Sequence, residues 1–369
     1  EQLFVTHSAC FTLTRVTDSV TIRPTFPFSA AKCRGGSWTD QFCWHNQKSL
    51  GCSALLDRAT KLAAGKPNHM QRLIRWTGFL LSLAMLAKLA GAREIYVNNQ
   101  LGDNQRDGYS EKSHGAGAGP VRTLKRALEI ASAGDKILLA NTGDPYRESV
   151  TLQSKKHSGL GSRAFTIDGQ GAILDGRGAV PSTAWEGVAS DVFRYRPHMK
   201  AFALLYLNGL PGEEVKVKKG AEARPKLGEK QWCLFRGHVY FRVEAEKTLG
   251  QYNIEHTTLP VGLTLYDVDK VIIVNLIVQG FQLDGINAHD NVFDTRMIGL
   301  VSRGNGRSGV SVGGASRVRL EACLIGNNGQ AQLRTEGFSR TQVINCDLLE
   351  NPAPKILQEG GKVFVENDE

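Results

Sequence analysis

Four segments near the C-terminal end of the chain decide the fold: Asn275-Leu-Ile-Val278, Met297-Ile-Gly-Leu300, Ala322-Cys-Leu-Ile325 and Asn345-Cys-Asp-Leu348. They begin at spacings of 22, 25 and 23 residues, so this part of the chain repeats with a period close to 23. Units of this length are too small to bury a core alone and must stack on one another.

A second series of apolar residues runs beside the first. It recurs at spacings of 24, 23 and 23, at Ile286, Val310, Leu333 and Ile356. Each lies in a short strand pattern flanked by Gly or polar residues, with no amphipathic helix between the strands and no leucine-rich signature. The repeats therefore predict an all-β parallel β-helix, in which each repeat is one coil of the stack.

Residues 70–92 have the pattern of a secretory signal peptide. Arg72 and Arg75 precede the apolar run 79–87, and Ala90-Gly91-Ala92 supplies the small residues of a cleavage site. The run is shorter than the roughly 20 residues of a membrane span. We expect cleavage after Ala92, with an internal buried helix as the alternative.

Residues 1–69 precede this signal and show no sustained strand or helix period, although they hold four of the seven cysteines. We expect a disordered, non-native upstream extension from a misplaced start. The alternative is a small cysteine-containing module. N-terminal sequencing of the mature protein distinguishes the two.

The chain's net charge of +9 would by itself suggest a nucleic-acid or membrane partner. Residues 1–92 hold 11 Lys and Arg against 4 Asp and Glu, which leaves 34 against 32 in the rest of the chain. We therefore expect no nucleic-acid partner, and no stable membrane span after signal cleavage.

The remaining chain divides into three parts. We assign the N-terminal cap and first coils to 93–180, an antiparallel β insertion to 181–262 and further coils to 263–369. The cap contains a helix predicted at Leu124–Ala133, with Thr123 as N-cap. The insertion loses the coil period, and Arg236-Gly237-His238 has the pattern of a hairpin turn.

Residues 94–180 carry a family resemblance, to which the coils at 260–360 add. The motif residues are Tyr96-Val97, Asp103, Gly108, Ser110, Pro120, Thr123-Leu124, Ala127, Ala131, Gly134-Asp135, Tyr146 and Glu148. This pattern resembles the N-terminal cap of right-handed parallel β-helix proteins of the pectate-lyase-like superfamily. The resemblance implies a right-handed solenoid, a helix closing its open end, and substrate held on the face that carries the strand beginning at Gly285. It carries over no catalytic residue, because the lyase and polygalacturonase motifs are missing.

The strand phase selects candidate site residues. Ile286 and Ala288 are expected to face inward, so Asn287 and His289 face outward. The same phase places outward Ser311 and Gly313, then Arg334 and Glu336, then Leu357 and Glu359. His289 and Glu336 should lie two coils apart, roughly 10 Å, with Gly313 leaving an open slot between them.

Two reactions are compatible with this row, and an ordinary polar exterior is the alternative to both. A lyase needs a base, for which His289 is the candidate, and a cation such as Arg334 against the substrate carboxylate. A hydrolase needs two carboxylates, for which Asp284 or Asp290 with Glu336 are the candidates. Asn287 and Ser311 are the expected binding residues beside them.

Two further patterns have structural alternatives. Gly304-Asn-Gly306-Arg-Ser-Gly309 matches GxGxxG but precedes a strand, so we interpret it as a coil turn that places Arg303 and Arg307 near an anionic sugar. Asp103 and Asp107 are candidate Ca²⁺ ligands, the one cofactor suggested, against a loop closed by Asx-type bonds. Cys323 and Cys346, 23 residues apart, should stack as thiols, because parallel Cβ vectors strain a disulfide.

The sequence thus predicts a secreted or envelope-located, monomeric β-helix protein. We expect it to bind polysaccharide, anionic in charge, and to process it as a lyase before a hydrolase. The alternative is a non-catalytic glycan-binding or adhesion protein that uses the same face.

Overall fold

The computed structural model describes residues 92–115, 117–198, 202–350 and 353–367, all within one compact unit. The predicted signal peptide and upstream extension lie outside the described residues, apart from Ala92. No helix in the described ranges combines the length and hydropathy that a membrane span requires.

The N-terminal cap and first coil come first in the chain. Their elements are β1 Glu94–Val97, α1 Leu124–Ile130, β2 Lys136–Leu139, β3 Val150–Gln153, a 3₁₀ turn Lys155–His157, β4 Phe165–Asp168 and β5 Ile173–Asp175. The insertion follows, with β6 Arg177–Ala179, a 3₁₀ turn Ser182–Ala184, β7 Glu186–Gly187, β8 Val192–Tyr195, β9 Leu205–Leu207, β10 Leu210–Pro211, β11 Glu213–Glu214, β12 Gln231–Phe235, β13 His238–Arg242, a 3₁₀ turn Leu249–Gln251 and β14 Ile254–Thr257.

The later coils complete the chain. Their strands are β15 Leu263–Tyr266, β16 Val271–Val274, β17 Ile277–Gln279, β18 Asp284–His289, β19 Thr295–Ile298, β20 Val301–Arg303, β21 Ser308–Val312, β22 Arg317–Glu321, β23 Leu324–Gly326, β24 Ala331–Thr335, β25 Arg340–Ile344, β26 Asp347–Leu348, β27 Ile356–Gln358 and β28 Lys362–Glu366.

The coils form three parallel sheets. Sheet A has the order β1-β2-β4-β16-β19-β22-β25-β28, sheet B β26-β23-β20-β17-β5 and sheet C β27-β24-β21-β18-β15-β3. Each coil passes from sheet C to sheet A to sheet B and then returns to sheet C one step along the stack. The protein is therefore a parallel β-helix, as predicted.

The second predicted series of apolar residues forms a column in the core. Ile286 pairs with Val310, Val310 with Leu333, and Leu333 with Ile356, and the first three are fully buried. Inward residues of one coil thus stack on those of the next, which buries a continuous apolar column.

The first predicted series is wrong in its second coil. Ile277 pairs with Val301 and Val301 with Leu324, so the residue equivalent to Asn275 is Gly299 and not Met297. The true spacings are 24, 23 and 23. The shared feature is a left-handed turn after sheet A, with φ of 51°, 60°, 49° and 49° at Asn275, Gly299, Ala322 and Asn345. Residues with unrelated side chains adopt this backbone conformation, so the sequence did not mark Gly299 as the equivalent position.

Helix α1 closes the N-terminal end of the stack, where it packs against β1 and β3. Thr123 is its N-cap, as predicted, and accepts a hydrogen bond from the Arg126 amide, but the helix ends at Ile130, three residues earlier than expected. Glu148 accepts hydrogen bonds from the amides of Leu124 and Lys125 at 2.9 and 2.8 Å. The Tyr-x-Glu motif therefore positions the cap: its glutamate satisfies donors that a helix N-terminus leaves unpaired.

The insertion is antiparallel except for the parallel pair β11–β12, and it builds its own small core. Its two sheets have the orders β10-β9-β14-β6 and β11-β12-β13-β8-β7. Trp232 and Phe241 are buried between them. The predicted hairpin joins β12 to β13 through Arg236 and Gly237, both with positive φ. Its strands span 177–257, so the insertion leaves the stack slightly earlier than the predicted 181–262.

The GxGxxG segment is a coil turn that leads into β21, as expected. Inside it, buried Asn305 donates from its Nδ2 to the Oδ1 of Asn328 in the next coil at 3.0 Å. Cys323 and Cys346 are free thiols, as predicted, and the Cys323 amide donates to the Cys346 Sγ. A hydrogen bond with the Cys323 thiol, aided by this amide contact, lowers the pKa of Cys346 to about 7.

Candidate functional site

The outer face of sheet C carries the predicted row of polar residues. Ile286 and Ala288 are fully buried, whereas Asn287 and His289 are partly exposed. The predicted strand phase is therefore confirmed. The parallel register of β15, β18, β21, β24 and β27 places residues of equal phase directly beside one another.

Two outward rows cross this face. Row 1 contains Thr264, Asn287, Ser311, Arg334 and Leu357. Row 2 contains Tyr266, His289, Gly313, Glu336 and Glu359. Both rows run along the axis of the stack, so a linear polymer lying across the strands would meet one residue of each row per coil.

Gly313 leaves a slot in row 2. A Cβ atom built on Gly313 would lie 3.9 Å from the Cβ of His289 and 3.9 Å from that of Glu336. The Cβ atoms of His289 and Glu336 are thus within about 8 Å of each other, closer than the roughly 10 Å expected for two coil steps. The slot between His289 and Glu336 is the space that a side chain at position 313 would fill.

One end of row 2 is aromatic. The rings of Tyr266 and His289 lie 5.1 Å apart, and Tyr266 is 42% exposed. The Nδ1 atom of His289 lies 3.5 Å from a carboxylate oxygen of Asp290, at the start of the turn that follows β18. This end combines an apolar ring face with a titratable imidazole.

The other end of row 2 is a charge cluster around Arg334. Its Nη1 atom lies 3.1 Å from Glu336 Oε1, and its Nε atom donates to Glu359 Oε2 at 2.7 Å. A second contact, from Nη2, reaches the same Glu359 oxygen at 2.5 Å. Arg334 was expected to face a substrate carboxylate, but two carboxylates of the protein already neutralise it.

Asp284 lies below this surface. Its side chain is fully buried, and it accepts hydrogen bonds from Arg307 Nε at 2.9 Å and from Asn287 Nδ2 at 3.1 Å. Ser308 also donates to it. The hydrogen bond with Asp284 raises the pKa of Arg307. Asp284 and Arg307 were predicted as a catalytic carboxylate and a sugar-binding cation, but the buried Asp284 forms an ion pair with the partly exposed Arg307 and supports row 1.

Ser311 is also covered. It is only 2% exposed, because the longer side chains of Asn287 and Arg334 flank it in row 1. The structure therefore brings together His289, Asp290, Arg334 and Glu336 at the surface, with Asn287 partly exposed beside them.

Arg303 lies elsewhere, at the end of β20 in sheet B. Its Nε atom donates to Gln279 Oε1 at 3.0 Å, and it borders a cavity of about 330 Å³ beside Tyr206 and Arg177 of the insertion. It does not join the sheet C rows. Sheet B follows sheet A in each coil and faces a different side of the stack.

The predicted Ca²⁺ ligands close a loop of the cap. Asp103 Oδ1 accepts from the Gln105 amide at 3.0 Å, and Asp107 Oδ1 accepts from the amides of Tyr109 and Gly119 at 3.1 and 3.2 Å. These are Asx-type bonds. Within the described ranges, no group of three or more His, Cys, Asp or Glu residues has the geometry to hold a metal ion.

Sequence reasoning left Glu359 and Tyr266 out of the site. Glu359 had been placed facing outward, and its spacing of 23 from Glu336 was the available signal. Tyr266 precedes His289 by 23 residues and is its direct partner in the sheet. Both follow from the coil period once the register is known.

The sequence matches no protein-family model and no curated protein. Solved structures resemble the fold. A glycoside hydrolase matches with a TM-score of 0.51 at 10% identity, over 70% of this chain and 73% of that chain. A complex of XylC with xylose gives 0.38 at 12% identity, over 74% and 69%. The pectate lyase Pel9A gives 0.27 at 11% identity, over 76% and 79%. The likeness to the glycoside hydrolase agrees with the β-helix fold.

Proposed function

We propose that the protein binds a polysaccharide across the outer face of sheet C and hydrolyses a glycosidic bond there. The observation that carries this proposal is the carboxylate pair of Glu336 and Glu359, on successive coils, joined by the guanidinium group of Arg334. Two carboxylates that flank one bond are the usual requirement for glycoside hydrolysis.

The coil spacing selects the stereochemical course. Neighbouring parallel strands lie about 4.8 Å apart, so outward side chains of equal phase leave the backbone at that separation. Retaining glycosidases separate their carboxyl groups by about 5–5.5 Å, whereas inverting enzymes need roughly 6.5–9.5 Å to admit a water molecule. Glu336 and Glu359 therefore fit a retaining reaction.

The contacts of Arg334 indicate which of the two glutamates acts as the nucleophile and which as the acid. Glu359 accepts two charge-assisted hydrogen bonds and Glu336 a single longer one, so Glu359 suits the role that requires a carboxylate. In the first step Glu359 forms a bond to the anomeric carbon, while Glu336 serves as the general acid that gives a proton to the departing glycosidic oxygen. In the second step Glu336 takes a proton from water, and the resulting hydroxide displaces Glu359.

The rest of row 2 provides a sugar platform. The exposed ring of Tyr266 and the imidazole of His289 offer faces on which pyranose rings stack, and Gly313 leaves room for a substituent between His289 and Glu336. The polymer would run along the axis of the stack, from the aromatic end to the carboxylate pair.

Elimination from a uronic acid polymer is a second candidate, and the His289–Asp290 pair favours it. Asp290 would orient His289 as the base that removes the sugar-ring proton next to the carboxylate. This reaction also needs a free cation opposite the substrate carboxylate. Arg334 is already paired with two carboxylates, which makes hydrolysis the better supported reaction.

The test incubates residues 93–369 with a panel of neutral and uronic-acid polysaccharides. Reducing ends report hydrolysis, and ultraviolet absorbance of the unsaturated product reports elimination. Glu359→Gln should reduce hydrolysis by about 10³-fold, whereas His289→Ala should leave most of it. Unsaturated product that disappears in His289→Ala would establish elimination instead. Binding without product from any polymer would establish a non-catalytic glycan-binding protein.

The same proposal includes the cellular setting. We propose a secreted or envelope-located monomer of the pectate-lyase-like superfamily, supported by the signal-peptide pattern at 70–92 and by the residues of the N-terminal cap. Sequencing the N-terminus of the natural protein tests this directly. A mature chain starting at Arg93 is expected, and an intact segment from Cys10 to Cys52 would contradict it.

A further inference from the structure

The outer face of sheet A carries three cations on successive strands. Arg317 on β22 pairs in register with Arg340 on β25, and Arg340 pairs with Lys362 on β28. All three side chains are exposed. In the described part of the chain none of them forms an ion pair, and the guanidinium of Arg317 lies over the ring of Phe293 at 5.6 Å.

This arrangement is unfavourable without a ligand. Like charges directly opposite on neighbouring strands repel one another. The adjacent column shows how the same sheet neutralises its cations: Glu321 accepts from Arg296 Nε at 2.8 Å and lies 2.8 Å from Arg319 Nε. The hydrogen bond with Arg296 lowers the pKa of Glu321. Among the described residues, no carboxylate forms an ion pair with Arg317, Arg340 or Lys362.

A shallow concavity of about 930 Å³ is lined by Arg317 and Arg340 of this column and by Arg296 and Arg319 of the adjacent one, with Asp294 and Glu366 also in its wall. Phe293 lies at one end of it, and Phe364, which is 47% exposed, lies at the other. The surface thus combines a line of free positive charge with an aromatic ring at each end. A ligand for it should be anionic, elongated and aligned with the axis of the stack.

We infer that the outer face of sheet A is a second binding surface, which holds an acidic polysaccharide with one carboxylate per coil. The coil spacing of about 4.8 Å is comparable to the length of one pyranose residue in a chain. Duplex DNA instead presents a phosphate every 3.4 Å of axis on each strand, a poorer match to one cation per coil. The choice of a sugar polymer rests on the proposed function; the anion-binding surface does not.

The test measures calorimetric binding of polygalacturonate in a Gly313→Leu background, in which the sheet C slot is filled. The test variant removes three charges from sheet A: Arg317→Gln, Arg340→Gln and Lys362→Gln. The matched control removes three exposed lysines of the insertion: Lys218→Gln, Lys219→Gln and Lys226→Gln. Loss of the sheet A cations should weaken binding about tenfold and reduce its salt dependence, with the control nearly unchanged.

Two outcomes would overturn the inference. Equal losses in the test and control variants would show that binding follows overall charge alone. Tighter binding to a DNA duplex than to polygalacturonate at the same ionic strength would identify a nucleic-acid surface instead. Far-ultraviolet circular dichroism of each variant shows that the β-helix is intact.

The experiments distinguish the absence of a binding surface on sheet A from the absence of hydrolysis at sheet C. Glu359→Gln should reduce product formation by about 10³-fold while leaving polygalacturonate bound to sheet A. The triple sheet A variant should cleave short oligosaccharides at the normal rate, because its residues lie on another face of the stack. A wild-type protein that yields no product, but loses polygalacturonate affinity in the triple variant, would retain this surface and lose only the hydrolase.

Discussion

The outer faces of sheets A and C are built from the same coils, yet one column of cations on sheet A lacks the carboxylate partners that surround Arg334 on sheet C. On sheet C, Arg334 lies between Glu336 and Glu359, so its charge is neutralised within the protein. On sheet A, Arg340 lies between Arg317 and Lys362, so like charges are adjacent. A neutralised cluster positions its own carboxylates, whereas an uncompensated column attracts an external anion.

The largest expected effect concerns the support beneath sheet C. Asp284→Ala removes a fully buried carboxylate and leaves Arg307 without its partner, so the free energy of unfolding should fall by about 3–5 kcal/mol. Urea denaturation measures this. Glu366→Ala on the outer face of sheet A is the control, because Glu366 is exposed and should change stability little. Similar midpoints for the two variants would mean that sheet C needs no buried ion pair.

The next effect separates the two faces as binding surfaces. Gly313→Leu fills the slot of row 2, and we expect it to weaken substrate binding at sheet C about tenfold or more. Its folding should be preserved, since a Cβ at this position meets its neighbours at an ordinary 3.9 Å. Steady-state kinetics on oligosaccharides measures the change in KM. Gly313→Ala is the matched control and should resemble the wild type; unchanged kinetics in Gly313→Leu would place the substrate elsewhere.

A pair of equivalent substitutions should have effects of opposite sign. Arg334→Gln leaves Glu336 and Glu359 facing one another without a cation, and should lower the free energy of unfolding by about 1 kcal/mol. Arg340→Gln relieves repulsion from Arg317 and Lys362, and should raise it by about 0.5 kcal/mol at low salt. Thermal unfolding at low and high salt measures both. Destabilisation in both variants would remove the contrast between the faces.

The smallest effect is a pH dependence on sheet A. The hydrogen bond with Arg296 lowers the pKa of Glu321 from its ordinary 4.5, so its stabilising contribution is complete above that value. It should be lost as the pH falls below 4.5, through the pKa of the folded state. Melting temperatures across this range should therefore decline more steeply in the wild type than in Glu321→Gln. Parallel curves would show that Glu321 does not stabilise the folded state through its charge.

The fold was accessible from the sequence because a period of 23 and an alternation of two are both visible in apolar residues. Ile286 and Val310 are enough to set the phase of sheet C, and with it the outward position of His289 and Glu336. The error at Met297 arose because the conserved element of that turn is a backbone conformation, which Asn275, Gly299 and Ala322 adopt with unrelated side chains.

The chemistry of the site was less accessible, since it depends on which side chains meet across coils. Asp284 was a catalytic candidate because of its carboxylate, although the phase of Ile286 and Ala288 points it inward. Its burial follows from Arg307 and Ser308 in the next coil, which reach back to it. Likewise, Arg334 has the residue type of a substrate-binding cation. Only the register shows that its guanidinium group is already paired with Glu359. Spacing in the sequence predicts which residues lie close together. Which of them form ion pairs can be read only from the geometry of their side chains.

The shared coil register also limits how the protein could change in evolution. Duplicating residues 308–330, the coil from Ser308 to the residue before Ala331, would add one strand to each of sheets A, B and C. The cationic column would gain an arginine equivalent to Arg317, and row 2 would gain a glycine equivalent to Gly313 in the same event. The two surfaces therefore grow or shrink together by whole coils, and a lineage that changed the length of polymer bound on one face would change it on the other.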